Sequence, residues 1–251
     1  MQKALITGAS GGIGKELALI MAEAGHDLIL VARKESELQI VKKQIASLST
    51  VDVITHTIDL SRPGAAKKLY TEMKDQSVEM LVNNAGAGLT GDFFNDNPER
   101  TVEIAQLNMI SVMELSQLFG KDFIKKDSGR ILNIASIAAF FPGPKQPVYY
   151  ATKAFVRNLS RALAYNVRGT NVTVTLLNPG VTQTNFFRAA NNTRITGGAT
   201  AKSVAELGYK AMMSGKVEVT HGIRNKLLTN VFSRLIPYRY QAYLVDRASD
   251  A

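Results

Sequence analysis

Short apolar runs alternate with longer stretches of helical spacing along nearly the whole chain, and this alternation restricts the possible folds severely. The runs are "ALIT" (4–7), "DLILVA" (27–32), "VDVITHTID" (51–59), "EMLVNNAG" (79–86), "RILNIAS" (130–136), "NVTVTLLNPG" (171–180) and "VEVTH" (217–221). Between them the spacing predicts a helix from about Gly12 to Ala24, closed by Gly25, and a charged helix ending near Leu48. Further helices follow: one with Pro63 in its first turn, a long one from about Pro98 to Lys125, one around Tyr149, and one before residue 217. Strands apolar on both faces need cover on both sides, which is the property of a parallel sheet with helical crossovers. The predicted class is α/β, a single-domain Rossmann-like doubly wound parallel sheet of about seven strands with helices on both faces. At 251 residues with no internal repeat or long linker, one dinucleotide-binding and catalytic domain over 1–251 is expected.

Composition removes several chemistries. There are no cysteines, hence no disulfides, zinc-thiolate sites or thiol nucleophiles, and the three scattered histidines give no metal site. The net charge of +9 favours anionic partners such as phosphorylated cofactors or acidic surfaces. The basic residues are spread out and not interleaved with stacking aromatics, so no nucleic-acid partner is expected. The start "MQKALITG" shows no charged-then-apolar leader, and no apolar run approaches the roughly 18 residues of a spanning helix; a cytoplasmic location is expected.

"TGASGGIG" (7–14) ends the first strand and opens the first helix. Glycines there permit positive φ and close backbone approach, and a helix N-terminus offers N–H groups to a pyrophosphate. Gly8, Ser10, Gly12, Ile13 and Gly14 are the candidate cofactor contacts. The second strand runs into "LVARKES", which places Arg33 and Lys34 where NAD-binding folds carry an acid for the ribose, with no acid before Glu35. A guanidinium suits a 2′-phosphate, with Ser10 as a second donor, so the expected cofactor is NADP(H) rather than NAD.

In "VYYATKAFVRNLSRA" (148–162), Tyr149 and Tyr150 both stand within helical reach of Lys153. Spacing alone leaves both open.

With these motifs in place the chain resembles the short-chain dehydrogenase/reductase family over nearly its whole length. The family's T-G-x3-G-x-G matches Thr7, Gly8, Gly12 and Gly14, and its N-N-A-G matches Asn83, Asn84, Ala85 and Gly86. The resemblance implies that this second motif stabilises the central sheet and lines the cofactor. It also implies adenine contacts from Asp59 and Leu60, and a catalytic tetrad of Asn108, Ser136, Tyr149 and Lys153. It selects Tyr149 over Tyr150, which becomes a packing or pocket neighbour. In "NPGVTQT" (178–184) it implies nicotinamide-end contacts from Pro179, Gly180, Val181 and Thr184.

The chemistry expected from that tetrad is NADP-dependent interconversion of a carbonyl and an alcohol. Tyr149 supplies the proton, Lys153 lowers its pKa and holds the nicotinamide ribose, and Ser136 holds the substrate oxygen. By the same resemblance Asn108 helps to hold a water that links Lys153 to solvent. The alternatives are an NAD-preferring alcohol dehydrogenase and a non-catalytic NADPH-binding sensor or scaffold.

Phe140, Phe141, Phe186 and Phe187 suggest an apolar wall for a lipophilic substrate, and Arg188 and Arg194 a contact for an acidic group. Residues 185–200 read as a substrate lid. Residues 222–251 form a helical extension with Ile223, Leu227, Leu228, Val231, Phe232, Leu235 and Ile236 at helical spacing beside Arg224, Lys226, Arg234 and Arg239. It is read as a helix packed on the domain or on a second subunit of a homo-oligomer (dimer or tetramer), with peripheral membrane contact as the alternative.

Overall fold

Seven parallel strands form one sheet in the computed structural model, which describes residues 2–190 and 197–250. The first half runs β1 (Lys3–Thr7), α1 (Gly12–Glu23), β2 (Asp27–Ala32), α2 (Glu35–Ala46), β3 (Val53–Thr57), α3 (Ala65–Met73) and β4 (Val78–Asn83). It continues with α4 (Pro98–Ala105), α5 (Ser111–Lys126), β5 (Gly129–Ile134), α6 (Pro147–Asn166) and β6 (Val172–Asn178). Then come β7 (Thr182–Gln183), α7 (Phe186–Ala189), β8 (Ala199–Thr200), α8 (Ala201–Met213) and β9 (Glu218–Thr220). The chain ends in α9 (Ile223–Leu227), α10 (Ser233–Leu235) and α11 (Tyr238–Asp250).

The strand order is β3-β2-β1-β4-β5-β6-β9. The chain therefore moves outward from β1 to β3, then returns to lay β4 on the other side of β1. Crossovers diverge at that point and leave a crevice beyond the carboxyl ends of β1 and β4.

Alternation along each strand feeds two cores. Ala4, Ile6, Leu28, Leu30, Met80 and Val82 pack with Leu17 and Met21 of α1, Leu38 and Ile45 of α2, and Val204 and Met212 of α8. Leu5, Ile29, Val31 and Leu81 face the other way, onto Leu69 of α3, Phe119 and Phe123 of α5, and Ala164 of α6. A buried polar chain crosses the middle of the sheet. Asn83 Nδ2 donates to Ser116 Oγ (3.0 Å) and Asn133 Oδ1 (2.8 Å), and Asn133 Nδ2 donates to Ser160 Oγ (2.9 Å). Each such amide, left unpaired, would cost about 1–3 kcal/mol.

Three local features depart from the sequence reading. The expected helix from Pro98 to Lys125 starts as predicted, with Pro98 first and Asn97 Oδ1 accepting from Glu99 N (2.8 Å), but a π-helical turn at Gln106–Ile110 interrupts it. Pro63 precedes α3 instead of entering its first turn. The C-terminal extension does not bury its apolar stripe on the domain. Ile223, Leu227, Leu228, Val231, Phe232 and Leu235 are all exposed, and the helix breaks at Ile236–Pro237 before α11. Arg194 lies outside the described residues, as do the side chains of Phe187 and Arg188.

Candidate active site

The glycine loop is held from behind by β4. Thr7 Oγ1 donates to the Val82 carbonyl oxygen (3.2 Å) and accepts from the amides of Asn84 and Ala85 (3.0 Å each). Asn84 Nδ2 donates to the carbonyl oxygens of Thr7 (2.9 Å) and Gly8 (3.1 Å). Gly8 has φ +67°, and a Cβ there would come within 2.8 Å of Asn84 Nδ2. At Gly14 a Cβ would overlap the Gly8 carbonyl oxygen. Above this floor, Gly11 at the start of α1 has no side-chain cap, so the helix's first N–H groups are left for a ligand. Thr184 closes the loop from the opposite side, since a Cβ on Gly12 would meet its Cγ2 at 3.0 Å.

A cleft of about 870 Å³ opens over this loop. Gly8, Ser10, Gly12, Ile13, Arg33, Asp59 and Leu60 line it, as do Asn84, Ala85, Gly86, Pro179, Gly180, Val181 and Thr184. Gly14 and Asn108 stand behind the wall instead of on it. The helix terminus, the crowded glycines and the flanking Arg33 fit a nicotinamide dinucleotide.

Ser136, Tyr149 and Lys153 share the same cleft. Ser136 sits where β5 passes into a 3-10 turn, its Oγ accepting from the Ala138 amide at 3.1 Å. Tyr149 and Lys153 lie one turn apart on α6, and Lys153 Nζ donates to the Ile134 carbonyl oxygen at 2.9 Å. Asn108 is fully buried inside the π turn. Its Oδ1 accepts from Ala87 N (2.9 Å), and its Nδ2 donates to Ala87 O (2.8 Å) and Thr152 Oγ1 (3.2 Å).

Electrostatics here differ from the sequence expectation. Lys153 was expected to lower the pKa of Tyr149, yet burial pushes the phenol up to about 12, with a hydrogen bond from Ser136 opposing it. Burial also pushes Lys153 down to about 8. Loss of hydration disfavours both charged forms, phenolate and ammonium alike.

The two tyrosines are now distinct. Tyr150 packs on Gly143, and its ring stands 6.0 Å from that of Tyr149 at 78°. Tyr149 alone of the pair shares the hydrogen bond with Ser136.

Of the three expected wall phenylalanines whose side chains are described, two lie away from the cleft. Phe140 lies under the Arg157 guanidinium (3.9 Å), and neither it nor Phe141 lines the cleft. Phe186 does, 5.3 Å from the Tyr149 ring and facing Gly88.

All of these placements follow one pattern, and the family model for short chain dehydrogenases matches residues 2–195. This chain belongs to the short-chain dehydrogenases. Short-chain dehydrogenases are oxidoreductases, and the relatives of this chain are named as reductases and dehydrogenases.

A very-long-chain 3-oxoacyl-CoA reductase from Laccaria bicolor is 35% identical to this dehydrogenase over 179 residues, 70% of the chain and 53% of the relative. The match thus spans about half the length of that protein. A 17-beta-hydroxysteroid dehydrogenase type 3 from Rattus norvegicus is 28% identical over 257 residues, covering 99% of this chain and 83% of its own. Among solved structures, a short-chain dehydrogenase from Sphingobium yanoikuyae in complex with NADPH superposes with a TM-score of 0.86 at 26% identity, covering 98% of this chain and 96% of that one.

Glu37 and Gln146 are among the cleft residues of this short-chain dehydrogenase that escaped the sequence reading. Glu37, on the first turn of α2, accepts from Lys34 Nζ at 3.0 Å; that bond first, and then Ser10 and Arg33, hold its carboxyl below the usual range. An i,i+3 pair on a charged surface helix gave no sign that it faces the cofactor end. Gln146 is buried beside the tyrosines, with Nε2 donating to Thr90 Oγ1 at 2.6 Å. Its place three residues before Tyr149, at the start of the same helix, was the available signal.

Proposed function

We propose that this short-chain dehydrogenase reduces a lipophilic carbonyl compound, or oxidises the corresponding alcohol, with NADP(H) and with Tyr149 as the proton-transferring group. The observation that carries the reading is the meeting of Ser136, Tyr149 and Lys153 in the one cleft that also contains the glycine loop and Arg33.

The bound nicotinamide supplies the hydride. The remaining steps belong to the chain. Ser136 Oγ, fixed by the Ala138 amide, orients the carbonyl oxygen and donates to the negative charge that develops on it. The Tyr149 hydroxyl gives that oxygen its proton. With its pKa pushed up to about 12, the phenol is fully protonated at neutral pH and ready as the acid of the reductive direction. Below its own value of about 8, Lys153 is cationic and stabilises the phenolate that remains. Asn108 fixes Ala87 and Thr152 around Lys153, a position consistent with a relay to solvent.

At the other end, Arg33 and the Ser10 hydroxyl would hold a 2′-phosphate. One observation favours a second reading, NAD: Glu37 faces the same place and would accept from ribose hydroxyls while repelling a phosphate. Lys34 at 3.0 Å offsets that charge, and Arg33 on the cleft wall remains to face a phosphate, so NADP is preferred.

Phe186, Tyr150, Ala138 and Ala189 give the substrate side an apolar surface. Relatives named for very-long-chain 3-oxoacyl-CoA and for a hydroxysteroid point to bulky lipophilic substrates as well. The test is NADPH and NADH oxidation against lipophilic ketones, 3-oxoacyl esters, quinones and small sugars. Turnover with NADPH on the lipophilic ketones is expected. NADPH binding without turnover on any of them would favour the sensor or scaffold reading.

A further inference from the structure

Between Glu218 and Asp246 the chain carries no acidic residue, while Arg224, Lys226, Arg234 and Arg239 all fall in that stretch. The same stretch turns its apolar side chains to solvent. Ile223 is 78% exposed, Leu235 75%, Leu227 52% and Phe232 48%, with Val231 and Leu228 also exposed. They recur every three or four positions through α9, the π turn Leu228–Phe232 and α10, so one stripe of the segment is apolar. An apolar stripe of this length, rimmed by charge and left open, marks an interaction surface.

The segment is well fixed in spite of its exposure. Thr229 is buried and donates to the Asn225 carbonyl oxygen (2.9 Å), and Gln241 Nε2 donates to the carbonyl oxygens of Ser233 (2.9 Å) and Ile236 (2.7 Å) across the bend. It also borders the cleft, and the chain just beyond it is tied down nearby. Asn225 packs against Gly180, and Asp246 pairs with Lys145 (3.8 Å), the neighbour of Gln146.

We propose that residues 223–244 are a peripheral docking surface for an anionic lipid bilayer, lying in the headgroup interface beside the cleft. No described helix is long and apolar enough to cross a membrane, so the segment would lie on the bilayer and not span it. Charge selects the occupant. A two-fold contact with a second copy would set the same acid-free, cationic stripe against itself, at a repulsive cost. Acidic headgroups instead neutralise Arg224, Lys226, Arg234 and Arg239 while the leucines and Phe232 enter the acyl boundary. Tyr240 and Tyr243, exposed on one face of α11, suit the same interface, where a ring lies in apolar surroundings and a hydroxyl in water. The surface goes beyond the proposed reaction and does not depend on which carbonyl is reduced.

The test is flotation of the full chain with vesicles of phosphatidylcholine alone or with about one third phosphatidylserine. The bound fraction is expected to rise by about tenfold or more with phosphatidylserine and to fall with added salt. Ile223→Glu/Leu235→Glu should abolish flotation while leaving thermal unfolding unchanged, because both side chains face water in the fold. Arg234→Gln/Arg239→Gln should reduce it several-fold. No flotation of the wild type, equal binding to both vesicle types, or undiminished binding of the glutamate variant would each overturn the proposal. A wild-type dimer that the glutamate variant dissociates, without flotation, would assign the stripe to a second copy and overturn it too.

Discussion

Lys153 Nζ lies 5.8 Å from the centre of the Tyr149 ring while donating a 2.9 Å hydrogen bond to the carbonyl oxygen of Ile134. The ammonium thus has a neutral partner at the end of β5 and, among the described residues, no carboxylate partner. Burial pushes it down to about 8 and the neighbouring phenol up to about 12. Burial thus favours the protonated phenol of Tyr149 and disfavours the ammonium of Lys153.

That arrangement predicts a stability gain on removing the charge. The Lys153 pKa is lower in the folded chain than its ordinary 10.5, so folding is penalised whenever the unfolded chain is protonated there. The penalty is complete below about pH 8 and vanishes as pH rises through about 10.5. Lys153→Met should therefore stabilise the fold at pH 7 by about 2–3 kcal/mol, with the gain shrinking over that window and turnover lost. Denaturant unfolding of both proteins across pH checks the sign. A destabilised variant at pH 7 would count against it.

Opposed charges at the adenosine end predict cofactor preference. Arg33→Ala should weaken NADPH by about 1.5–3 kcal/mol and leave NADH nearly unchanged. Glu37→Gln should shift preference further towards NADPH, by about threefold to tenfold, by removing an anion from the same place. Fluorescence titration of both cofactors measures each effect, and equal losses for both cofactors in Arg33→Ala would remove the basis for NADP.

The floor of the glycine loop separates two glycines that the sequence alone cannot rank. A Cβ at Gly14 would overlap the Gly8 carbonyl oxygen and Asn84 Nδ2, whereas at Gly11 nothing lies within 4 Å. Gly14→Ala should cost about 1–3 kcal/mol of stability and impair cofactor binding, while Gly11→Ala should be close to neutral. Thermal melts with and without NADPH compare them.

Much of this was legible because the signals are local. Alternating apolar residues specified which side chains feed each core, and the loop glycines fall where β1 meets α1. The rest depends on contacts between distant segments. Apolar spacing around Asn108 reads alike for an α-helix and a π turn, and only its amide's bonds to Ala87 and Thr152 reveal its placement. Phe140 and Phe186 are both aromatic residues after a strand, yet one stacks under Arg157 and the other reaches the cleft. The period of the tail revealed an apolar face but not whether the domain covers it.

The most direct measurement compares Tyr149→Phe and Tyr150→Phe with the wild type in NADPH-dependent reduction of a ketone turned over by the wild type. Removing the proton donor should lower kcat by about 10²–10⁴-fold in Tyr149→Phe, with NADPH affinity nearly intact. Tyr150→Phe should keep most of its activity. Substantial turnover by Tyr149→Phe, or loss confined to Tyr150→Phe, would contradict the assignment of Tyr149 as the group that moves the proton.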